Sequence, residues 1–252
     1  MGLLSRVDTH STRLQNHRAL IIGGSGGIGR AVTYSLASQG AAVVCHGGHN
    51  RGRLEQVVSY IQHHGGRARM LFQPLESASD ILPRLDDLGR IDILVVAMGP
   101  VDYRSIADTD PETWRRMAEL NLVLPGLLMS RFLPPMVKAG WGRIVLFGAP
   151  HGDTLRGFRT MAAYGAAKTG LAALCKSAAL QTQGQNVAVN MVAPGYVDTE
   201  YLTESQRRTA RRRSPRGVPI APERVARLVS QLVLAEEPDM NGAIIAMDQG
   251  LE

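Results

Sequence analysis

The chain has 252 residues, 44% of them hydrophobic and 20% charged, with 27 glycines and 13 prolines. That length can bury one large core, and ordinary hydrophobicity with dispersed charge excludes general disorder and a collagenous scaffold. Two cysteines, Cys45 and Cys175, are too few for a disulfide framework; each lies in an apolar stretch and reads as a buried free thiol in a reducing compartment. The net charge is +6, and all the basic residues except Lys138, Lys168 and Lys176 are arginine. The arginines are spread along the chain apart from one knot, Arg207, Arg208, Arg211, Arg212, Arg213 and Arg216, so most of this charge reads as solvated surface.

Residues 1–17 mix charged and polar side chains and read as an N-terminal extension, without the uninterrupted apolar core of a signal peptide. No run reaches the ~18 apolar residues of a membrane span, so the expectation is a cytoplasmic protein with no membrane partner. The first strand is expected at Ala19–Ile22, ending in a glycine cluster, with a helix from Ile28 to Ser38. A second short run covers Ala41–Cys45, followed by a helical stretch through Leu54, Val57, Val58 and Ile61. Further strand-like runs are Met70–Phe72, Ile91–Ala97, Arg143–Phe147, Val187–Val192 and Ala243–Ala246. Between the last two, Val225, Leu228, Val229, Leu232 and Val233 keep the i, i+3, i+4 spacing of an amphipathic helix. Strands that are nearly all apolar and alternate with helices imply a doubly wound parallel sheet covered on both faces, an α/β fold in a single domain over 1–252.

The first strand runs into Gly23-Gly24-Ser25-Gly26-Gly27-Ile28-Gly29-Arg30. Glycines between a strand and a helix let backbone approach a phosphate held at the helix N-terminus. Two registers fit, one on Gly24, Gly26 and Gly29 and one on Gly23, Gly27 and Gly29. After the second strand an NAD-type site wants a carboxylate for the adenosine ribose. The chain offers Cys45-His46-Gly47-Gly48-His49-Asn50-Arg51-Gly52-Arg53 instead, with no acid and two arginines. That pattern favours a 2′-phosphate and hence NADP(H). His46 and His49 lie near Cys45, but no second ligand pair at zinc spacing accompanies them, and no metal site is expected. Tyr164 and Lys168 stand four apart, on one face of a helix. A nearby ammonium favours phenolate and would lower the tyrosine pKa, making it a usable acid or base.

With these pieces in order, the chain resembles the short-chain dehydrogenase/reductase family, particularly its ketoacyl-reductase-like members, from about Arg18 to Leu251. The resemblance rests on Gly23/Gly27/Gly29, Ile91–Val95, Asn121-Leu122, Gly142–Val145 and Tyr164 with Lys168. It continues in Asn190–Gly195, Val197 with Thr199, Pro222–Ala226, Asn241-Gly242 and Asp248–Gly250. It implies a single Rossmann-like domain, a nicotinamide cofactor and a homo-oligomer, dimer or tetramer. Tyr164 would protonate a carbonyl oxygen as hydride arrives, Lys168 would bind the nicotinamide ribose, and Asn121 would hold a relay water. The implied cofactor contacts are Gly23, Ser25, Gly27, Ile28, Gly29, His46, Arg51, Leu75, Ala97, Gly99, Lys168, Pro194, Gly195, Val197 and Thr199.

The chain departs from the family pattern at several points. Ile22 replaces the threonine before the first glycine, Val96-Ala97-Met98-Gly99 replaces Asn-Asn-Ala-Gly, and Pro74 replaces the aspartate near the adenine. The catalytic serine falls on Ala149, in Phe147-Gly148-Ala149-Pro150-His151. A methyl cannot donate to a developing oxyanion, and losing such a donor typically costs ~10²–10³ in rate. The stretch from Ala149 to Tyr164 is longer than the family's, so a shifted alignment brings His151 or Thr154 into that role. The leading expectation is an NADP(H)-dependent reductase of a small-molecule carbonyl compound. The alternatives are a non-redox enzyme of the same fold using Tyr164 and Lys168 as acid and base, and a catalytically weak nucleotide-binding protein. With no aromatics interleaved among the arginines of the knot, nucleic acid is not an expected partner.

Overall fold

The structure is a computed structural model that describes residues 13–152 and 154–251. Seven parallel strands form one sheet in the order β3-β2-β1-β4-β5-β6-β7. The strands are β1 Arg18–Ile22, β2 Ala42–Gly47, β3 Arg67–Phe72, β4 Ile93–Val96, β5 Gly142–Phe147, β6 Val187–Pro194 and β7 Ile244–Met247. The helices are α1 Gly27–Ser38, α2 Arg51–His63, α3 Leu82–Leu85, α4 Pro111–Ala118, α5 Leu124–Ala139, α6 Ala162–Gln181, α7 Glu204–Arg213 and α8 Pro222–Leu234. Every expected strand is present, with ends shifted by up to three residues.

The two faces of the sheet carry separate cores. On one, Leu20, Ile22, Leu94, Ile144 and Leu146 pack against Leu128, Phe132 and Met136 of α5 and Leu171 and Cys175 of α6. On the other, Ile21, Val43, Cys45 and Val145 pack against Val32 and Leu36 of α1, Leu54 and Val57 of α2 and Val229 and Val233 of α8. Central β4 and β5 are buried throughout. The edge strands differ from the expectation of near-continuous apolar runs, because β3 alternates toward solvent and β7 is only half-buried.

Two terminal and helical expectations need correction. Residues 1–12 lie outside the described residues, but residues 14–17 belong to the body rather than to an extension. Leu14 is buried, its N–H donates to Gln39 O at 2.9 Å, and His17 stacks on Trp141 with ring centroids 3.8 Å apart. The continuous helical run Pro111–Ala139 is also long and apolar enough, by composition alone, to span a membrane. Its apolar side chains, Leu124, Leu128, Met129, Phe132, Leu133 and Met136, are instead buried in the core.

Strand order reverses between β1 and β4, and a crevice opens there beyond the carboxyl ends of the strands, where ligands of such sheets bind. Ile22 is in register with Val96, and Ala97 N–H donates to Ile22 O at 2.9 Å. The glycine turn after β1 and the segment Ala97–Gly99 after β4 therefore lie side by side.

Candidate active site

The glycine turn is fixed by backbone contacts that admit no side chain. Gly23 and Gly27 have φ of +80° and +51°, and a Cβ on Gly29 would collide with Gly23 O. Positive φ and the backbone clash favour the Gly23/Gly27/Gly29 register, while Gly24 and Gly26 are crowded by the side chains of Thr33, Cys45 and Tyr201. Gly23 N–H donates to His46 Nδ1 at 3.2 Å, and His46 Nε2 lies 2.8 Å from Gln73 O. The ring therefore accepts at Nδ1 and donates at Nε2, which makes it neutral, and burial lowers its pKa to about 4. Both nitrogens are committed to protein groups. His46 therefore clamps the turn from within the cavity wall.

A cavity of about 400 Å³ occupies the crevice. Of the expected cofactor residues, Gly23, Ser25, Gly27, Ile28, His46, Leu75, Ala97, Gly99 and Thr199 line it. Gly29 acts beneath it as a packing position. Pro194, Gly195 and Val197 stand at the carboxyl end of β6, with Val197 bridged to Ile220. Arg51 lies over the Phe72 ring at 4.6 Å and pairs with Glu55 at 3.9 Å, outside the cavity wall. Its neighbour Arg53 is in the wall. A larger hollow of about 890 Å³ lies at the opposite end of the sheet, near Asn186 and Asn241, away from the glycine turn.

Sequence reasoning passed over Glu200, Arg30 and Tyr201. Gly27 N–H donates to both Glu200 carboxylate oxygens at 3.2 Å, and Arg30 and Arg53 reach the same carboxylate at 3.4 and 3.5 Å. The N-terminus of α1 thus already faces an anion, so the residues present fit a dinucleotide phosphate at that place. Arg30 had a local signal, its place in the first turn after Gly29. Glu200 had none, because it arrives from a distant segment.

Tyr164 lies in the first turn of α6 and Lys168 one turn further on. The helix starts at Met161, held at φ +68° with its N–H donating to Arg104 O at 3.0 Å. Arg104 in turn ion-pairs with Asp102 and Asp110 and hydrogen-bonds Thr113, tying the start of α6 to the start of α4. Lys168 Nζ donates to Phe147 O at 2.7 Å and stands 5.8 Å from the centre of the Tyr164 ring. The expectation that Lys168 lowers the Tyr164 pKa is not met in this arrangement. Desolvation first, then repulsion from Tyr103, raises the phenol to about 12, and burial lowers Lys168 to about 8.

Asn121 sits in a π-helical turn, Glu119–Val123, between α4 and α5. Such a bulge re-aims a side chain inward and is frequent at functional sites. Asn121 Nδ2 donates to Pro100 O at 3.0 Å, while the fully buried Oδ1 has no hydrogen-bond partner among the described residues. A Cβ on Gly99 would collide with that oxygen and lie 3.1 Å from Lys168 Nζ. Gly99, Asn121 and Lys168 therefore converge, with an acceptor left over for a donor such as a water.

Ala149 is buried two residues beyond β5. The chain then turns, with Gly152 N–H donating to Ala149 O at 2.9 Å and His151 at φ +58°. Thr154 is exposed, and its hydroxyl donates to His151 O at 3.1 Å. Of the two candidate replacements for the missing serine, Thr154 thus has its hydroxyl turned to the backbone.

The short chain dehydrogenase family pattern matches residues 17–210. D-beta-hydroxybutyrate dehydrogenase of Rhizobium meliloti is 31% identical over 255 residues, covering 92% of this chain and 97% of that protein. A 3-oxoacyl (acyl-carrier-protein) reductase FabG of Thermotoga maritima is 30% identical, covering 95% and 99%. Among solved structures, a 3-oxoacyl (acyl-carrier-protein) reductase of Agrobacterium tumefaciens with NADP bound superposes with a TM-score of 0.84 at 29% identity, over 98% of both chains. The seven-stranded parallel sheet agrees with this match, and the chain belongs to the short-chain dehydrogenases as an oxidoreductase enzyme of that family.

Proposed function

We propose that this protein is an NADP(H)-dependent reductase of a small-molecule carbonyl compound. The observation that carries the reading is the convergence of Lys168 and Asn121 on Gly99, in the wall of a cavity whose other end is the α1 N-terminus with Arg30 and Arg53, and with Tyr164 one helical turn from Lys168. A reduced nicotinamide, when bound, supplies the hydride. Tyr164 gives its hydroxyl proton to the carbonyl oxygen as the carbon accepts that hydride, so the product is an alcohol. The first turn of α6 favours the phenolate left behind, by about 0.3–1 kcal/mol. Lys168, an ammonium at neutral pH despite its depressed pKa, stands one helical turn away to bind ribose and return charge to the site. Asn121 Oδ1, short of a donor, is placed to hold a water that feeds protons inward. The named relatives, a hydroxybutyrate dehydrogenase and 3-oxoacyl reductases, support a substrate with a carbonyl on a short or acyl chain.

Arg53 is the group proposed to meet the 2′-phosphate, in place of Arg51. An assembly of two or four copies in the cytoplasm is part of the reading. The bare side of α5 and α6, where Leu122, Val123, Leu127 and Leu174 border a shallow hollow, supports such an assembly.

The test is a titration with NADPH and NADH followed by a panel of ketones monitored at 340 nm. NADPH should bind more tightly than NADH. Arg53→Ala should erase about 10- to 100-fold of that preference, the worth of a charge-assisted contact, while Arg51→Ala leaves it nearly unchanged. Equal dissociation constants for the two cofactors would sink the NADP(H) assignment. Bound NADPH that no carbonyl oxidises would leave Tyr164 and Lys168 an acid/base pair for chemistry without net redox change.

A further inference from the structure

Glu200 holds the place where a dinucleotide phosphate belongs. Its carboxylate, 26% exposed, takes the Gly27 N–H with both oxygens at 3.2 Å and pairs with Arg30 at 3.4 Å and Arg53 at 3.5 Å. A backbone donor at a helix N-terminus with two guanidiniums is what an anionic phosphate would engage. Here the chain supplies the anion itself, from 173 residues further along.

The segment that carries Glu200 is anchored on both sides. Before it, Val197 bridges Ile220, and Asp198 N–H donates to Ile220 O at 2.9 Å. After it, Arg207 on α7 ion-pairs with Asp198 and reaches Thr199 O at 3.4 Å. The turn between these anchors presents Thr199, Glu200 and Tyr201 to the glycine loop. Tyr201 closes over the same spot: a Cβ on Gly26 would collide with its hydroxyl, and Arg53 lies 5.5 Å from its ring centre. Exposed ion pairs alone contribute little. This carboxylate combines a double backbone contact with two cations in a partly enclosed site, so its removal from that site carries a real cost.

We infer that Glu200 is an internal competitor for the cofactor's pyrophosphate, a carboxylate that must leave Gly27, Arg30 and Arg53 before the dinucleotide can seat. The inference rests on reading the crevice as the dinucleotide site. Only the fraction of molecules with the turn displaced is competent to bind, and the apparent dissociation constant rises in inverse proportion to that fraction. The turn thereby sets cofactor affinity from within the chain.

The experiment compares wild type with Glu200→Gln, which keeps size and removes charge, and with Glu200→Ala as a second variant. Dissociation constants for NADPH and NADH are measured by nucleotide fluorescence, alongside thermal unfolding without nucleotide. Both cofactors carry the same pyrophosphate, so both should bind about 5- to 30-fold more tightly to each variant, with the larger gain for NADPH because Arg53, the proposed 2′-phosphate contact, is released as well. The nucleotide-free variants should unfold at the same or a slightly lower temperature, since they lose contacts while gaining affinity. Unchanged or weaker binding of NADPH to both variants overturns the inference while leaving the dinucleotide reading intact. A gain for NADPH without one for NADH also overturns it, because Glu200 would then compete at the 2′-phosphate and not at Gly27. If neither nucleotide binds wild type or variants, the dinucleotide reading itself fails and the competitor role falls with it.

Discussion

The glycine turn lies beyond β1 and the catalytic face beyond β4 and β5, at the same end of the sheet, but they are specified by different physics. At the turn, Gly23, Gly27 and Gly29 are dictated by positive φ and by backbone atoms in near contact, and His46 has both ring nitrogens spent on Gly23 and Gln73. Burial keeps His46 neutral there, and the residue 200 turn is laid over the glycines. At the catalytic face, geometry is looser and electrostatics decide. Tyr164 is pushed up and Lys168 pushed down by burial, Asn121 keeps an unused acceptor, and Ala149 supplies no donor. A binding end fixed by sterics can tolerate little change in shape. A chemical end fixed by charge and burial can hold its shape while its protonation changes, which is where substitutions should separate binding from turnover.

The largest expected effect tests that separation directly. Tyr164→Phe keeps the ring at the start of α6 and removes only the acid. Turnover should fall by about 10²–10⁴-fold, the usual worth of a positioned general acid, with the NADPH dissociation constant changed less than threefold. Retention of most of the wild-type rate would show that the proton comes from elsewhere.

A smaller effect is expected at Ala149. Serine at this buried position would add a hydroxyl, and in an incomplete oxyanion site that donor is worth ~10²–10³ in rate. The surrounding turn is built differently, however, with His151 in a left-handed conformation and Thr154 tied back to His151 O. A hydroxyl at residue 149 is therefore expected to meet no developing charge, and kcat/KM on the best carbonyl substrate should change by less than about tenfold. A gain beyond that would mean the native site lacks a donor it could use.

The parts of this protein legible in the sequence are those encoded locally. The glycine cluster, the seven strands and the i, i+4 pair at Tyr164 and Lys168 each lie within a short window, and all are found where expected. The sequence reading favours Arg51, whereas Arg53 is the one in the cavity wall, and helical phase separates them. The two residues are two apart and so face different sides of α2, with Arg51 sharing its face with Glu55. The π-helical turn at Asn121 breaks helical period without a proline or glycine inside it, and no local pattern announces it. Glu200 was invisible because its meaning comes from approach to Gly27 across the whole fold. The tyrosine pKa is out of reach of the sequence for a related reason: spacing gives the distance to a cation, but the desolvation that opposes it depends on packing.

The smallest effect is the most diagnostic of the catalytic face. Lys168 falls from its usual 10.5 to about 8 through burial. Between those values the unfolded chain keeps a proton that the folded protein has released, so this group makes stability rise with pH over that window. Cys45 and Cys175 act oppositely, because burial raises them from 9 to about 12 and about 11; above pH 9 the folded state retains protons that the unfolded chain has lost. A single melting curve against pH would mix these trends. The difference between wild type and Lys168→Met cancels the thiols and isolates the ammonium. Methionine fills the same volume without charge, so the variant should be at least as stable as wild type at pH 7. Wild type should then gain on it between pH 8 and 10, by about 2–4 °C in Tm for each kcal/mol of relieved burial. Parallel curves across that range would show that Lys168 is solvated well enough to keep its ordinary pKa, and the contrast between a steric binding end and an electrostatic catalytic end would lose its main support.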